Sequence, residues 1–444
     1  MVKGRMAKTS DPRIIVFGIV EAVLDKKVPL DEALETAFSK NPDLEVRDKG
    51  LVKHLSTTLF RHLGAIDSAM GKMLKKPLPA RAAWVRHWIR IGATQILFLN
   101  VPDHAAVNTT VNEISKAKRS GARVFKNLAN AILRNFVRSQ KDILGDLEKN
   151  PEKNLPPWLR IHWEKTLGAE SLKKIAAVLS TQPPLDVVLK NPKDAAGLLH
   201  PLEAGEVFKG VLRLRPRGLI KALPGFKDGK WWAQDLAASL PARLFGDVKG
   251  KNVLDLCAAP GGKTLYLASR GAKVIAVDKS RPRLERLKEN LARVGLEATI
   301  VCSDIFDFTA EKGFGAILLD APCSATGTLR RHPDVAYLRK ERDILRLAAL
   351  QGRLLDHAFS LLRPGGVLVY CVCSLEASEG EDIIETFLKA NPSAQRQPVS
   401  ARELDGHKEW ITTDGDLRTL PYHLAKAGGM DGFYAARLVK SGDV

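Results

Sequence analysis

Two cysteines of this 444-residue chain stand in short motifs of similar build. One is Asp320-Ala321-Pro322-Cys323-Ser324 and the other is Tyr370-Cys371-Val372-Cys373-Ser374. Each follows a short apolar run, GAILLD or GVLVYCV, of the kind that forms a buried strand. Adjacent strand ends would bring Cys323 and Cys373 close to one another. A thiolate is a strong nucleophile, so cysteines at strand ends are candidates for chemistry. The bland alternative for any single cysteine is a small buried hydrophobe. That reading is kept for Cys371, near the end of its run. For the other two, a neighbouring ligand loop favours chemistry.

The loop is carried by Leu254-Asp255-Leu256-Cys257-Ala258-Ala259-Pro260-Gly261-Gly262-Lys263-Thr264. Small residues at a strand-to-helix turn let a ligand approach the backbone, and the new helix offers free N–H groups. A Walker A phosphate loop would need glycine where Cys257 stands, so GGKT here is not one. Asp278 ends the next strand, where an acid can accept hydrogen bonds from ribose hydroxyls. Asp304 ends the third strand and is placed to meet an adenine amino group. Either aspartate alone is more commonly a helix N-cap. Together with the glycine turn they outline an adenosine site.

The elements that must position these residues follow from periodicity. From residue 251 onward, NVLDLC, KVIAVD, TIVCSD, GAILLD and GVLVYCV alternate with helical stretches, the pattern of parallel strands with crossover helices. Ligands gather at the carboxyl ends of such strands, where Asp255, Cys257, Asp278, Asp304, Asp320 and Cys373 fall. Residues 10–140 are helical: apolar positions recur at three- and four-residue spacing in RIIVFGIVEAVL, LVKHLSTTLFRHL, WVRHWIRIGATQILFL and VFKNLANAILRNFV. Pro29, Pro42, Pro77, Pro79 and Pro102 punctuate them. Residues 141–156, polar and proline-bearing, read as a linker. Residues 157–250 are mixed, opening on a helix at PWLRIHWEKTLG and including the basic stretch KGVLRLRPRGLIK. The basic start with its apolar run Ile14–Leu24 reads as an amphipathic helix, since Glu21 interrupts the run and no cleavage site follows. No stretch approaches the length of a membrane span.

Charge narrows the partner. The formal net charge is +19. Residues 1–150 contribute +11, residues 151–250 contribute +6 and the remainder +2. Phosphates attract Lys and Arg and release counterions on binding, so the first 250 residues are expected to face a polyanion. The five cysteines are odd in number and all lie beyond residue 250, a poor disulfide framework that fits a reducing, cytoplasmic compartment. Zinc is not expected, because the C-x-C spacing of Cys371 and Cys373 lacks flanking ligands.

The motifs together carry a resemblance. DAPCSATGTLRRHPDV, LRPGGVLVYCVCS and LDLCAAPGGKT resemble the RNA cytosine-C5 methyltransferases of the NOL1/NOP2/Sun type. RDKGLVKHLSTTLFRHLGAID, IRIGATQILFLNVPDHAAVN and FKNLANAILRN resemble the NusB-like RNA-binding module of that family's bacterial Sun/RsmB branch. LPGFKDGKWWAQDLAASL is similar to the segment before the family's first strand, and GGMDGFYAARLVK to its closing strand. The resemblance implies an α/β fold. A Rossmann-like S-adenosylmethionine-dependent methyltransferase domain over 246–444 would be preceded by an all-α NusB-like domain over 1–145 and a small mixed α/β region over 155–245. It implies S-adenosyl-L-methionine as cofactor, RNA, foremost 16S rRNA, as substrate, no metal, no membrane and a monomer.

Residue by residue, the resemblance makes Cys373 the nucleophile and Cys323 the cysteine that helps release the product. It assigns cofactor contacts to Cys257, Ala258, Ala259, Pro260, Gly261, Gly262, Lys263, Asp278, Arg283, Asp304 and Asp320. Asp320 and Lys263 also join the catalytic set. Cytosine C5 is a poor nucleophile, and a thiolate adding to C6 makes C5 enamine-like. Asp320 would stabilise the adduct at the N3 side of the base. Cys323, or a water it positions, would serve when the C5 proton leaves. Lys263 would hold the base or lower a thiol pKa. The chain departs from the family pattern at Val372-Cys373-Ser374, where Thr-Cys-Ser is usual. It departs again at Glu379-Gly380-Glu381-Asp382, where Glu-Glu-Asn is frequent, and at Leu189-Lys190-Asn191, where Arg-x-Asn is expected. None removes a catalytic group, but they leave room for a shifted target. The alternatives are the same chemistry on tRNA and a non-catalytic RNA-binding or antitermination factor. DNA cytosine methylation fits less well, because those enzymes use the Pro-Cys cysteine as nucleophile.

Overall fold

A computed structural model describes residues 11–117, 122–215 and 218–442. The chain divides into two compact units, one of residues 1–181 with Leu329–Lys340, the other of Gln182–Thr328 with residues 341–444.

The first unit is helical. Its helices are Pro12–Leu24, Leu30–Lys40, Val46–Met73, Ala83–Phe98, Asp103–Lys116, Ala122–Arg138, Gln140–Lys149, Pro157–Leu167 and Ala169–Leu179. Pro29 and Pro102 directly precede helices and Pro79 a 3₁₀ turn, positions where a missing N–H costs nothing. The helix Ala83–Phe98 is buried almost all round. It therefore also buries polar side chains, which must be paired. Arg90 makes a two-pronged ion pair with Asp67 at 2.8 and 2.7 Å. The expected amphipathic first helix is Pro12–Leu24, while the basic residues 1–10 before it lie outside the described residues.

The stretch 141–156 is not the linker its polarity suggested. It forms the helix Gln140–Lys149 and a 3₁₀ turn at Pro151–Asn154. Ile143 packs against the helical core and Leu155 is 8% exposed. The backbone of Lys153, Asn154 and Leu155 approaches Gly64 so closely that a Cβ there would sit 2.5–2.8 Å from their carbonyl oxygens. Lys153 and Asp146 pair at 2.6 Å across the turn. Polar composition marked an exposed outer face, not an unstructured segment.

The segment Leu329–Lys340, which follows the Cys323 loop in the chain, belongs to the helical unit. The Asp334 carboxylate accepts from the buried Leu30 N–H at 2.9 Å. The Tyr337 hydroxyl accepts from Gly64 N–H at 2.9 Å and donates to the Asn154 carbonyl at 3.1 Å. The Trp158 indole N–H donates to the Ala336 carbonyl at 3.0 Å.

The second unit holds two sheets. A four-stranded antiparallel sheet, in the order β2-β3-β1-β4, is built from β1 Leu185–Leu189, β2 Gly205–Phe208, β3 Val211–Leu214 and β4 Trp231–Ala233. β3 lies within the basic stretch KGVLRLRPRGLIK. Its Arg213 turns inward to a buried pair with Asp186 at 2.6 and 2.8 Å, while Pro216 and Arg217 lie outside the described residues.

The larger sheet contains β5 Asn252–Leu256, β6 Lys273–Asp278, β7 Thr299–Cys302, β8 Phe314–Asp320, β9 Leu362–Val372, β10 Ala394–Arg396, β11 Leu417–Thr419 and β12 Phe433–Lys440. β7, β6, β5, β8 and β9 run parallel in that spatial order, and β12 pairs antiparallel with β9. This is a Rossmann-like sheet. The chain first moves outward from β5 to β6 and β7, then crosses to β8 on its other side. That reversal is where open α/β sheets bind ligands. Register places Asp320 opposite Cys371, so both cysteine loops leave from neighbouring strand ends.

Candidate active site

The loop after β5 reverses direction in few residues. Cys257 and Gly261 have φ of 59° and 105°, the left-handed region that a glycine enters without strain and a cysteine does not. The Ala259–Pro260 peptide is cis. The loop then enters the helix Gly262–Ser269, whose first turn has no side-chain cap, leaving its N–H groups available to an anion. Asp278 fixes the loop from below. Its carboxylate, 3% exposed, accepts from Ala259 N–H at 3.1 Å and Ser280 N–H at 2.8 Å. Arg283 donates to the Ala259 carbonyl and lies 3.6 Å from Asp278. The pair thus holds both polar groups of one loop residue.

Asp304, at the end of β7, takes the commoner of its two expected roles. It caps a 3₁₀ turn by accepting from Phe306 N–H at 3.1 Å, and stands 3.9 Å from Lys279. Its side chain remains 41% exposed.

Lys263, in the first turn of the loop helix, is buried and reaches across to β8. Its Nζ lies 2.7 Å from Asp320 Oδ2 and 4.8 Å from the centre of the Phe433 ring. Burial alone would lower the ammonium pKa, but the Asp320 charge, with Cys371 and Cys373 behind it, outweighs burial and raises it. The other Asp320 oxygen meets the Cys371 thiol at 3.5 Å. Cys371 is wholly buried, and burial followed by the Asp320 charge pushes its thiol well above the ordinary value. Burial likewise raises the Cys257 thiol, with Asp320 and Asp278 adding to it.

Cys323 and Cys373 lie with their sulfurs 3.4 Å apart. Both are partly buried. The two loops are stitched together by Ala321 N–H to the Cys371 carbonyl at 2.9 Å and Gly327 N–H to the Cys373 carbonyl at 3.1 Å. A Cβ on Gly327 would meet the Gly432 carbonyl oxygen at 2.0 Å, so this contact needs glycine. The Cys323 thiol is pushed well above its ordinary value, first by its hydrogen bond with Cys373 and then by burial. A sulfur that keeps its proton beside a second sulfur is a donor for that neighbour's thiolate.

Sequence reasoning assigned no role to the residues behind the cysteines. Ser324, Ser374 and Thr326 are buried around the carboxylate of Glu379. The available signal was the Cys-Ser dipeptide repeated at both strand ends. Phe433, under the Lys263 ammonium, is marked in the sequence only as part of the closing-strand segment and given no role, because its strand is distant in sequence. Clefts such as the one between Ser68, Lys72, Ile143 and Asp146 lie in the helical unit. They contain neither strand-end acids nor cysteines, so the chemistry places the site at the sheet.

Comparison with known proteins bears on both units. Residues 244–439 match the family model for 16S rRNA methyltransferase RsmB/F, and residues 10–138 match that of the NusB family. A ribosomal RNA small subunit methyltransferase B of Pseudomonas syringae pv. tomato is 36% identical over 97% of this chain and 97% of its own. Among solved structures, PH0851 superposes with a TM-score of 0.74 at 22% identity, covering 98% of this chain and 100% of that one. NSun6 from Pyrococcus horikoshii with SFG gives a TM-score of 0.55 at 20% identity, covering 65% and 99%. These two show likeness of fold.

Proposed function

The chain belongs to the family of 16S rRNA methyltransferases B, with an N-terminal NusB-family region, and from that premise we propose that it methylates carbon 5 of a cytosine in 16S rRNA through a covalent Cys373 adduct. It is an S-adenosylmethionine-dependent rRNA methyltransferase. The single observation that carries the cysteine reading is the 3.4 Å approach of Cys323 to Cys373 beyond the neighbouring ends of β8 and β9.

S-adenosylmethionine supplies an electrophilic methyl group when bound, and the residues present fit it. The uncapped helix start at Gly262 and Lys263 suits the amino-acid carboxylate. Asp278 uses one lone pair of each oxygen on backbone N–H groups, and its remaining lone pairs suit ribose hydroxyls. Cys257, Ala258, Ala259, Pro260 and Gly261 line the turn, with Arg283 holding it. The partly exposed Asp304 would meet the adenine edge.

The chain's own groups then divide the work. Cys373, as thiolate, adds to C6 of the cytosine and displaces the C5–C6 π electrons toward C5. As the adduct forms N3 takes up a proton from solvent, and Asp320, ion-paired with Lys263, accepts hydrogen bonds from that N3–H and from the 4-amino group, the N3 proton returning to solvent when the adduct breaks down. Lys263, over the Phe433 ring, holds that carboxylate in place. Once C5 carries the methyl group, its proton passes to a water held by Cys323. The Cys323 S–H then supports Cys373 as it departs as thiolate. The +11 charge of residues 1–150 supports RNA binding by the helical unit. Bisulfite sequencing of 16S rRNA from cells with and without the protein tests the reading: one cytosine should lose protection when the protein is absent. Identical maps would refute it.

A further inference from the structure

We propose that Glu379 is the positioning residue that sets the two cysteine loops against each other through a single buried carboxylate. The proposal rests on the cysteine mechanism above and goes beyond it, since Glu379 touches neither thiol.

Glu379 closes the 3₁₀ turn Ala377–Glu379 after β9 and is 0% exposed. Its Oε1 accepts from Ser324 N–H at 2.9 Å and from the Gln351 amide at 3.1 Å. Its Oε2 accepts from the Ser324 and Ser374 hydroxyls, both at 2.5 Å. Ser324 directly follows Cys323 and Ser374 directly follows Cys373, so one carboxylate grips the residue behind each sulfur. Thr326 bridges the same two serines at 3.4 and 3.3 Å and accepts from Leu375 N–H at 3.1 Å. The Tyr370 hydroxyl anchors the turn by donating to the Glu379 carbonyl at 2.6 Å.

A buried carboxylate is tolerated only when donors fill its lone pairs. Here four donors meet two oxygens, the full complement of an ionised carboxyl. Charge-assisted bonds of this length are stiff as well as strong. Each serine hydroxyl donates to Glu379. The Cys323–Cys373 separation is thereby tied to one side chain. Neutral glutamine has the same shape but presents an NH₂ where two donors already point. It forces one side of the clamp to open.

The test is a kinetic cycle on the full chain with a 16S rRNA fragment. Glu379→Gln should fold with an unchanged RNA KM and lose about tenfold or more in single-turnover methyl transfer. Ser324→Ala and Ser374→Ala, which remove one hydroxyl each, should each slow the same step. Their effects should fall well short of multiplying in the double variant, because both act through one carboxylate. A merely structural role would lower the melting temperature and raise KM together. Should Glu379→Gln fail to fold, the serine cycle decides alone. Glu379→Gln with full activity, or serine effects that multiply independently, would overturn the proposal. Cys373→Ala serves as control. If it retains methyl transfer, the cysteine mechanism itself fails, whereas a dead Cys373→Ala beside a fully active Glu379→Gln rejects only the clamp.

Discussion

Lys263 Nζ and Asp320 Oδ2 stand 2.7 Å apart, joining the first turn of the loop helix to the end of β8. Lys263 is almost wholly buried and Asp320 about one-third exposed. Removing one partner of a buried pair leaves the other charge uncompensated. We expect Asp320→Asn to lower stability by about 2 kcal/mol, discounted for the solvent that reaches Asp320. The same variant should lower kcat by roughly a hundredfold, since the amide cannot balance charge at the base. Chemical denaturation and single-turnover assays read the two effects separately. Wild-type kcat in the folded variant would remove Asp320 from the chemistry.

Asp278 fixes the Ala259 N–H, and in the proposed reading its remaining lone pairs take the ribose hydroxyls. Asp278→Ala is expected to weaken S-adenosylmethionine binding by roughly 1–3 kcal/mol, the cost of unpaired buried hydroxyls. Calorimetry on the purified variant measures this. Unchanged affinity in a folded protein would place the ribose elsewhere.

Asp255, wholly buried below the loop, accepts from the Thr264 hydroxyl at 2.5 Å. Burial, with the Asp320 charge adding to it against the Thr264 bond, pushes its carboxyl up to about 7 from the usual 3.8. A group whose folded pKa is raised contributes stability that is complete below its unfolded pKa and is lost as pH rises through its folded pKa. Between pH 5 and pH 8 the wild type should therefore lose melting temperature that Asp255→Asn, uncharged throughout, keeps. Parallel pH profiles for the two proteins would show that Asp255 titrates normally.

The parallel strands were legible because runs such as KVIAVD and GAILLD are short, β-branched and end on acids. Their order was not, since periodicity does not reveal that β8 crosses to the far side of β5. The cofactor turn was legible from its glycines and the cysteine pair from its repeated Cys-Ser. What the sequence concealed depends on distant pairing. The Leu329–Lys340 segment reads as a continuation of the Cys323 loop, yet Tyr337 and Asp334 bond to Gly64 and Leu30, hundreds of residues away. The linker reading of 141–156 failed for a related reason, because a helix with one thin apolar edge looks polar in composition. Arg213 looked like part of a basic surface and is a buried partner of Asp186.

The two cysteines are expected to fail differently. In the proposed mechanism Cys373 forms the bond to C6, so Cys373→Ala should neither methylate nor cross-link. The same proposal has Cys323 act after methyl transfer, so Cys323→Ala should attack and methylate but release slowly, accumulating a protein–RNA adduct. A denaturing gel of each variant with labelled 16S rRNA fragment and S-adenosylmethionine reads this directly. The account predicts a shifted band for Cys323→Ala and none for Cys373→Ala. A shifted band for Cys373→Ala with none for Cys323→Ala would contradict it and reverse the two roles.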